Sequence, residues 1–324
     1  MSQDPAGDDI ELIIPDDHAG ARLDKTLAVL LPDYSRSRLK QWLSAGDLTV
    51  DGASPAPKTA IAGGERVRLI VPDDAHDETV APEAMALDIV YEDEAILVLN
   101  KPAGLVMHPG AGNHHGTLQN ALLAHDESLA ALPRAGIVHR LDKDTSGILV
   151  VAKTFAAHKQ LVADLAERTI KREYEAVALG VMTAGGHVDA PIDRHPIDRK
   201  KMAVREEGRD AVTHYRVTTR YRAHTHVRCR LESGRTHQIR VHMAHIRYPL
   251  LGDPVYGRRL SLPKDSSAPF IDVLRGFKRQ ALHAASLGLD HPVTGEAMQW
   301  HAPRPADFEA LLAALAEDAR AHGR

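Results

Sequence analysis

The segment Ile137-Val138-His139-Arg140-Leu141-Asp142-Lys143-Asp144-Thr145-Ser146-Gly147-Ile148-Leu149-Val150-Val151 changes character half-way along. Its second half is a continuous apolar run, extended by Ala152, of the kind that forms a strand covered on both faces. Its first half is densely polar, and a charged loop set just before a buried strand is a place where catalytic groups are held fixed. Residue types alone favour a simpler reading, a turn in which Asp142 or Asp144 bonds local amides ahead of Thr145-Ser146-Gly147.

Working outward, Ile96-Leu97-Val98-Leu99 is a second buried-strand run, and strand-like segments recur at 174–179, 212–218 and 227–231. Thr117 is placed to cap a helix reaching about His125, and a helix over 156–168 presents Leu161, Val162 and Leu165 on one side. Strands and helices do not alternate regularly, which argues against a doubly wound nucleotide fold and for an α+β domain with a mixed sheet from about Leu87 to Pro305. From Ala306 the chain reads as a short C-terminal Ala/Leu helix.

Upstream lies a separate module. Residues 1–19 read as an acidic flexible tail. Leu23, Leu27, Leu30 and Leu31 recur at helical spacing and Pro32 helps to end that helix; a second begins at Ser35, carries Arg36, Arg38 and Lys40 around its first turns, and closes at Gly46. Short strands follow at 48–50 and 66–71, separated by the turns Asp51-Gly52 and Gly63-Gly64. The module spans 20–71, and the acidic stretch 72–86, with Pro72 and Pro82, reads as a linker.

The 324 residues, 44% hydrophobic, are enough for one substantial core and a smaller one. A single cysteine, Cys229, excludes an internal disulfide and any zinc site needing two thiolates, and fits a reducing cytoplasm. No stretch approaches the roughly 18 apolar residues of a membrane span. The net charge of −4 argues against a polyanion partner, but its distribution reverses that. Acid gathers at the N-terminus and over 73–94, whereas 194–247 is crowded with arginine and lysine, among them Arg199, Lys200, Arg209 and Arg235. Such asymmetry is compatible with RNA, and equally with an ordinary surface of solvated arginines.

His-Arg-Leu-Asp at 139–142, followed by Lys-Asp-Thr-Ser-Gly and an apolar strand, resembles the signature of the RluA-type pseudouridine synthases. Further blocks agree: Asn100-Lys101-Pro102-Ala103-Gly104 with His108-Pro109-Gly110, Lys171-Arg172-Glu173-Tyr174, and Ser233-Gly234-Arg235-Thr236-His237-Gln238-Ile239-Arg240-Val241-His242. Residues 20–71, through Arg22-Leu23-Asp24 and Ser35-Arg36-Ser37-Arg38, resemble the S4 RNA-binding domain. With Gly252-Asp253-Pro254-Val255-Tyr256-Gly257, the chain is most similar to the branch acting on large-subunit ribosomal RNA. The resemblance implies a small S4-like domain followed by a catalytic domain with a long mixed, mainly antiparallel sheet.

The resemblance also implies roles. Asp142 is the essential carboxylate, acting as nucleophile or base while uracil is detached and reattached through carbon 5; Arg235 pairs with it and favours its charged form. Tyr174 packs on the target base, Arg140 enters the RNA stack as the uridine swings out, and Leu282 floors the pocket. Arg22, Ser35, Arg36, Arg38 and Lys40 contact RNA in the N-terminal module. No cofactor or metal is expected, and the protein is expected to be a monomer. Alternatives are the same chemistry on other ribosomal or transfer RNA uridines, or an RNA-binding assembly factor without turnover.

Other chemistries find less support. His237, His242 and His245 lack acidic or thiol partners at zinc spacing and read as surface or RNA-facing residues. Gly110-Ala111-Gly112 lacks the rest of a phosphate loop. Asp142 and Asp144, two apart in a turn, need not oppose each other as a glycosidase pair must.

Overall fold

The computed structural model describes residues 9–31, 34, 36–71, 80–110, 113, 115–198, 201–258, 260 and 262–323. Pro32, Ser35, Ala111, Gly112, Arg199, Lys200, residues 1–8 of the expected tail and residues 72–79 of the expected linker lie outside the described residues. The chain divides into two compact units at Thr79/Val80.

In the first unit, strands β1 (Asp9–Ile13), β2 (Leu48–Val50) and β3 (Arg66–Ile70) form an antiparallel sheet in the order β1-β3-β2. Helices α1 (Leu23–Leu30) and α2 (Arg36–Ala45) supply the leucines and the Trp42 that complete its core. Strand β3 alternates strictly, Val67 and Leu69 pointing inward. Residues 1–19 are therefore not all tail: Asp9 pairs with Ile70, Ile13 with Arg66, and Ile14 is wholly buried. The acidic residues around β1 conceal a five-residue strand, too short and polar to announce itself by periodicity.

The second unit is built on a nine-stranded sheet among the described residues. Its strands are β4 (Ile89–Glu92), β5 (Ile96–Lys101), β6 (Ser146–Ala152), β7 (Lys171–Leu179), β8 (Gly186–Asp189), β11 (Val212–Arg220), β12 (His224–Leu231), β13 (Leu282–Asp290) and β14 (Ala297–His301). The path β4-β5-β6-β13-β7-β12-β11-β8 is antiparallel except at β6–β13; β14 pairs with β13, and β9 (Ile192–Arg194) pairs with β10 (Met202–Val204). Helices α3 (Leu118–His125), α4 (Phe155–Glu167), α5 (Gln238–His245), α6 (Ala268–Gly276) and α7 (Ala306–Ala321) pack about it.

Several expectations hold. Thr117 caps α3 through a reciprocal bond with Asn120, and β6 is buried at every residue. The C-terminal helix is where it was read, from Ala306, and Phe308, Leu311 and Leu315 are buried against Phe270 and Leu274 of α6. Two need correction. Residues 80–86 are not linker: Asn120 donates to the Ala81 carbonyl (2.8 Å) and accepts at its own carbonyl from the Glu83 N–H (3.0 Å), while Val80 and Leu87 pack on the core. In α4, Val162 is 44% exposed although its neighbour Leu161 is buried, the inward stripe running through Ala157, Leu161 and Leu165 at four-residue spacing. No helix among the described residues is long and apolar enough to cross a membrane.

Candidate active site

The one parallel seam sets the site. Ser146 and Gly147 of β6 lie beside His283 and Ala284 of β13, and a Cβ at Gly147 (φ 115°) would stand 2.1 Å from the Ala284 carbonyl oxygen. A glycine is thus required where two backbones meet at the end of the Asp142 loop. Ser146 Oγ bonds His283 Nδ1 (3.0 Å) and the Gln280 side chain donates to Thr145 Oγ1 (3.0 Å).

The loop itself is held from several sides. Thr145 N–H closes a turn on the Asp142 carbonyl (3.0 Å), and the Lys143 carbonyl accepts from Gly104 N–H and from Lys101 Nζ, each at 2.9 Å. Lys101, only 2% exposed, also donates to the carbonyls of Pro102 and Leu105. Burial brings its ammonium down to about 8, against the pull of Asp144 and Asp142. Arg279 reaches the Asp144 carbonyl (3.2 Å). His139 Nε2 accepts the Val150 N–H (3.0 Å), and burial, assisted by nearby Arg172, drives this imidazole down to about 3, so it stays neutral.

A loop so constrained presents the Asp142 carboxylate outward. Its Oδ2 accepts from Arg240 Nη1 at 2.8 Å, and the same guanidinium is gripped by Asp253 at Nε (2.7 Å) and Nη2 (2.9 Å). Asp253, itself fully buried at the side chain, also takes the N–H groups of Val255 and Tyr256. Burial opposes both charges, yet their mutual bonding prevails: Arg240 is raised above its ordinary range and Asp253 held below its own. Tyr256 lies under the Arg240 guanidinium (5.1 Å to the ring centre) and shares a 2.8 Å hydrogen bond with His237 Nδ1. His237, entering α5 from a left-handed backbone (φ 57°), places Nε2 3.8 Å from Asp142 Oδ1. Burial lowers this imidazole's affinity for a proton despite the carboxylate.

Arg235 is not the partner of Asp142, which overturns the expected pairing. Gln238 bonds the Arg235 N–H (3.0 Å) and Ser233 Oγ (2.8 Å), a folded loop that sends the Arg235 side chain to the Asp210 carbonyl (3.0 Å). Arg240 sits in the first turn of α5, where the buried face of the helix meets Asp142. The sequence held only a hint, an arginine with the apolar Met243 one turn on, and nothing in it singled out Asp142 as the partner. His242 is also corrected, for it is fully buried, bonded to Thr213 Oγ1 and the Ala190 carbonyl at 2.9 Å each. Only His245 of the three histidines is exposed, and among the described residues no three His, Cys, Asp or Glu side chains are grouped to hold a metal.

Asp142 opens into a cavity of about 420 Å³. Tyr174 of β7 and Leu282 of β13, both buried, line it; exposed Arg140 lies at its edge, and Arg134, Arg172, Arg209, Arg235 and Arg240 complete a basic lining. Asp142 is the only carboxylate among its described lining residues. Of the N-terminal candidates, Arg22 (3.0 Å), Arg36 (2.7 Å) and Lys40 (3.2 Å) converge on the buried Asp24, whereas Arg38 lies over the Trp42 ring (5.2 Å).

The site thus joins an apolar wall, a fixed carboxylate and a lining of arginines on a long mixed sheet. The chain belongs to the RNA pseudouridylate synthase family, which matches over residues 95–245. It is 54% identical over 310 residues to "Ribosomal large subunit pseudouridine synthase D" of Xanthomonas campestris pv. campestris, covering 95% of this chain and 93% of that one. To the protein of the same name from Pseudomonas aeruginosa it is 55% identical over 308 residues, covering 95% and 96%. Among solved structures, Human RNA Pseudouridylate Synthase Domain Containing 4 aligns with a TM-score of 0.55 at 27% identity, over 70% of this chain and 92% of that one.

Proposed function

We propose that this enzyme isomerises uridines in large-subunit ribosomal RNA, several within one stem-loop, and that Asp142 is its essential carboxylate. The observation that carries the reading is the placement of Asp142: Oδ2 is occupied by Arg240, and the carboxylate lines a cavity with Tyr174 and Leu282. Relatives named for the large ribosomal subunit, alike over nearly the whole chain, supply the substrate.

The reaction balances internally. The bond from C1′ to N1 breaks, a bond from C1′ to C5 forms, the proton on C5 leaves and N1 gains one. A carboxylate suffices as nucleophile toward the sugar or ring, or as base. Tyr174 and Leu282 hold the ring by its faces, and Arg140 takes the place the base vacates, offsetting the few kcal/mol that unstacking costs. The first unit, read as S4-like, offers Arg22, Arg36 and Lys40 to phosphates. Ribosomal RNA as substrate places the work in the cytoplasm.

Purified protein without additives is incubated with large-subunit RNA, and pseudouridines are mapped by carbodiimide treatment and primer extension. Clustered stops in one stem-loop are expected, and Asp142→Asn should reduce their formation at least about a thousandfold. Stops confined to transfer RNA would overturn the substrate; undiminished stops with the variant would overturn the role of Asp142.

A further inference from the structure

Within the basic lining, Arg172 stands apart. It is the second residue of β7 and shares a strand face with Tyr174, two positions on, so both reach the cavity. The residue is 6% exposed, its Nε is buried, and among the described residues that nitrogen has no hydrogen-bond partner. No carboxylate among the described residues pairs with it; the cavity's own carboxylate, Asp142, is bonded to Arg240. One side of the guanidinium lies against Gly234, where a Cβ would stand 2.7 Å from Arg172 Nη1. The Ser233-Gly234-Arg235 turn therefore makes room for this cation without neutralising it.

A largely buried guanidinium with no carboxylate beside it is held at a cost, and its terminal nitrogens, which face the cavity rather than a partner, are left for a ligand to complete. Its neighbours deepen the imbalance: Arg134, Arg140, Arg209 and Arg235 line the same cavity. An incoming uracil is neutral, and its carbonyl oxygens can accept a hydrogen bond but bring no charge. The anion that a swung-out nucleotide carries with it is its phosphodiester, and a planar fork suits two phosphate oxygens.

Resting on the function proposed above, we infer that Arg172 is the receptor for a phosphate flanking the target uridine, drawn into the cavity with the base. It is a binding residue, and its free energy is realised only when RNA is present. The free enzyme carries the cost of the uncompensated charge.

The test uses a uridine-containing stem-loop of large-subunit sequence, unmodified or with one neutral methylphosphonate on the 5′ or the 3′ side of the target, and Kd is measured at several salt concentrations. Arg172→Gln should weaken binding of unmodified RNA about tenfold and lower the salt slope by about one. One of the methylphosphonates should weaken wild-type binding by a similar factor and leave the variant unaffected. The free variant should melt no lower than wild type, because no native ion pair is lost; a merely structural arginine would show the reverse. Unchanged affinity in the variant, or penalties that multiply when variant and methylphosphonate are combined, would overturn the assignment. Turnover on the unmodified stem-loop is scored separately: its absence would overturn the substrate reading, while the phosphate assignment still reads out in binding.

Discussion

Asp24 and Asp142 each sit among basic side chains, but the two surroundings are inverted. In the first unit one carboxylate serves three cations, Arg22, Arg36 and Lys40, and is almost wholly buried beneath them. Burial alone would raise Asp24, yet the three donors hold it far below the ordinary carboxylate range. In the second unit one arginine serves two carboxylates, and the more buried, Asp253, takes the two-pronged share. The first arrangement is complete in itself and leaves a surplus of positive charge facing outward. The second leaves Asp142 with a single hydrogen-bonded partner at the cavity. The difference between them is whether the carboxylate is the hub or a terminus.

That contrast can be broken most forcefully at Asp253. Asp253→Asn removes the two-pronged partner of a buried arginine, and urea unfolding of the second unit should show a loss of about 3 kcal/mol, because breaking a buried pair costs more than the pair contributes. Arg240 then turns fully to Asp142, and kcat should fall roughly 10- to 100-fold with KM little changed, a split that loss of stability alone would not give. Asp24→Asn should cost the first unit about 2 kcal/mol as three cations lose their common partner, read by the unfolding midpoint of that unit, with kcat on a short stem-loop near wild type.

A smaller effect is set by pH. His139 and His108 are held down by burial, to about 3 and about 4 against an ordinary 6.5. The unfolded chain thus binds protons the folded one refuses, so stability rises with pH across this window and is lost progressively as pH falls from about 6.5 toward 4. Urea midpoints measured over that range should show the decline, and His139→Asn should flatten part of it. Smallest is the surplus of the first unit: replacing Arg36 alone with glutamine, which leaves Arg22 and Lys40 on Asp24, should lower the salt slope of RNA binding by about one and barely alter kcat at saturating RNA.

Much of this was legible in the chain. The Asp142 loop runs into a buried strand as read, and Asp142, Tyr174 and Leu282 line one cavity. What escaped were partnerships between segments far apart. Arg235 and Arg240 sit in one run, and only the fold of the Gln238 turn decides which of them faces Asp142. Asp253 and Tyr256 were visible as a Gly-Asp-Pro-Val-Tyr-Gly run, but nothing local marks them as a cradle for an arginine 13 positions earlier. Strand β1 was missed for a different reason: it is five residues long, its Glu11 is exposed, and the acids that flank it in sequence make its composition imitate a tail.

The β6–β13 seam also fixes an order of events during synthesis. Every core residue of the first unit lies between Ile14 and Val71, so that unit has all it needs soon after it leaves the ribosome. The Asp142 loop, by contrast, abuts a strand whose partner residues, His283 and Ala284, are translated 137 residues after Ser146 and Gly147. A nascent chain can therefore complete its leading unit while the Asp142 loop still lacks its neighbouring strand, and the enzyme becomes competent only when its last third has been threaded into the sheet.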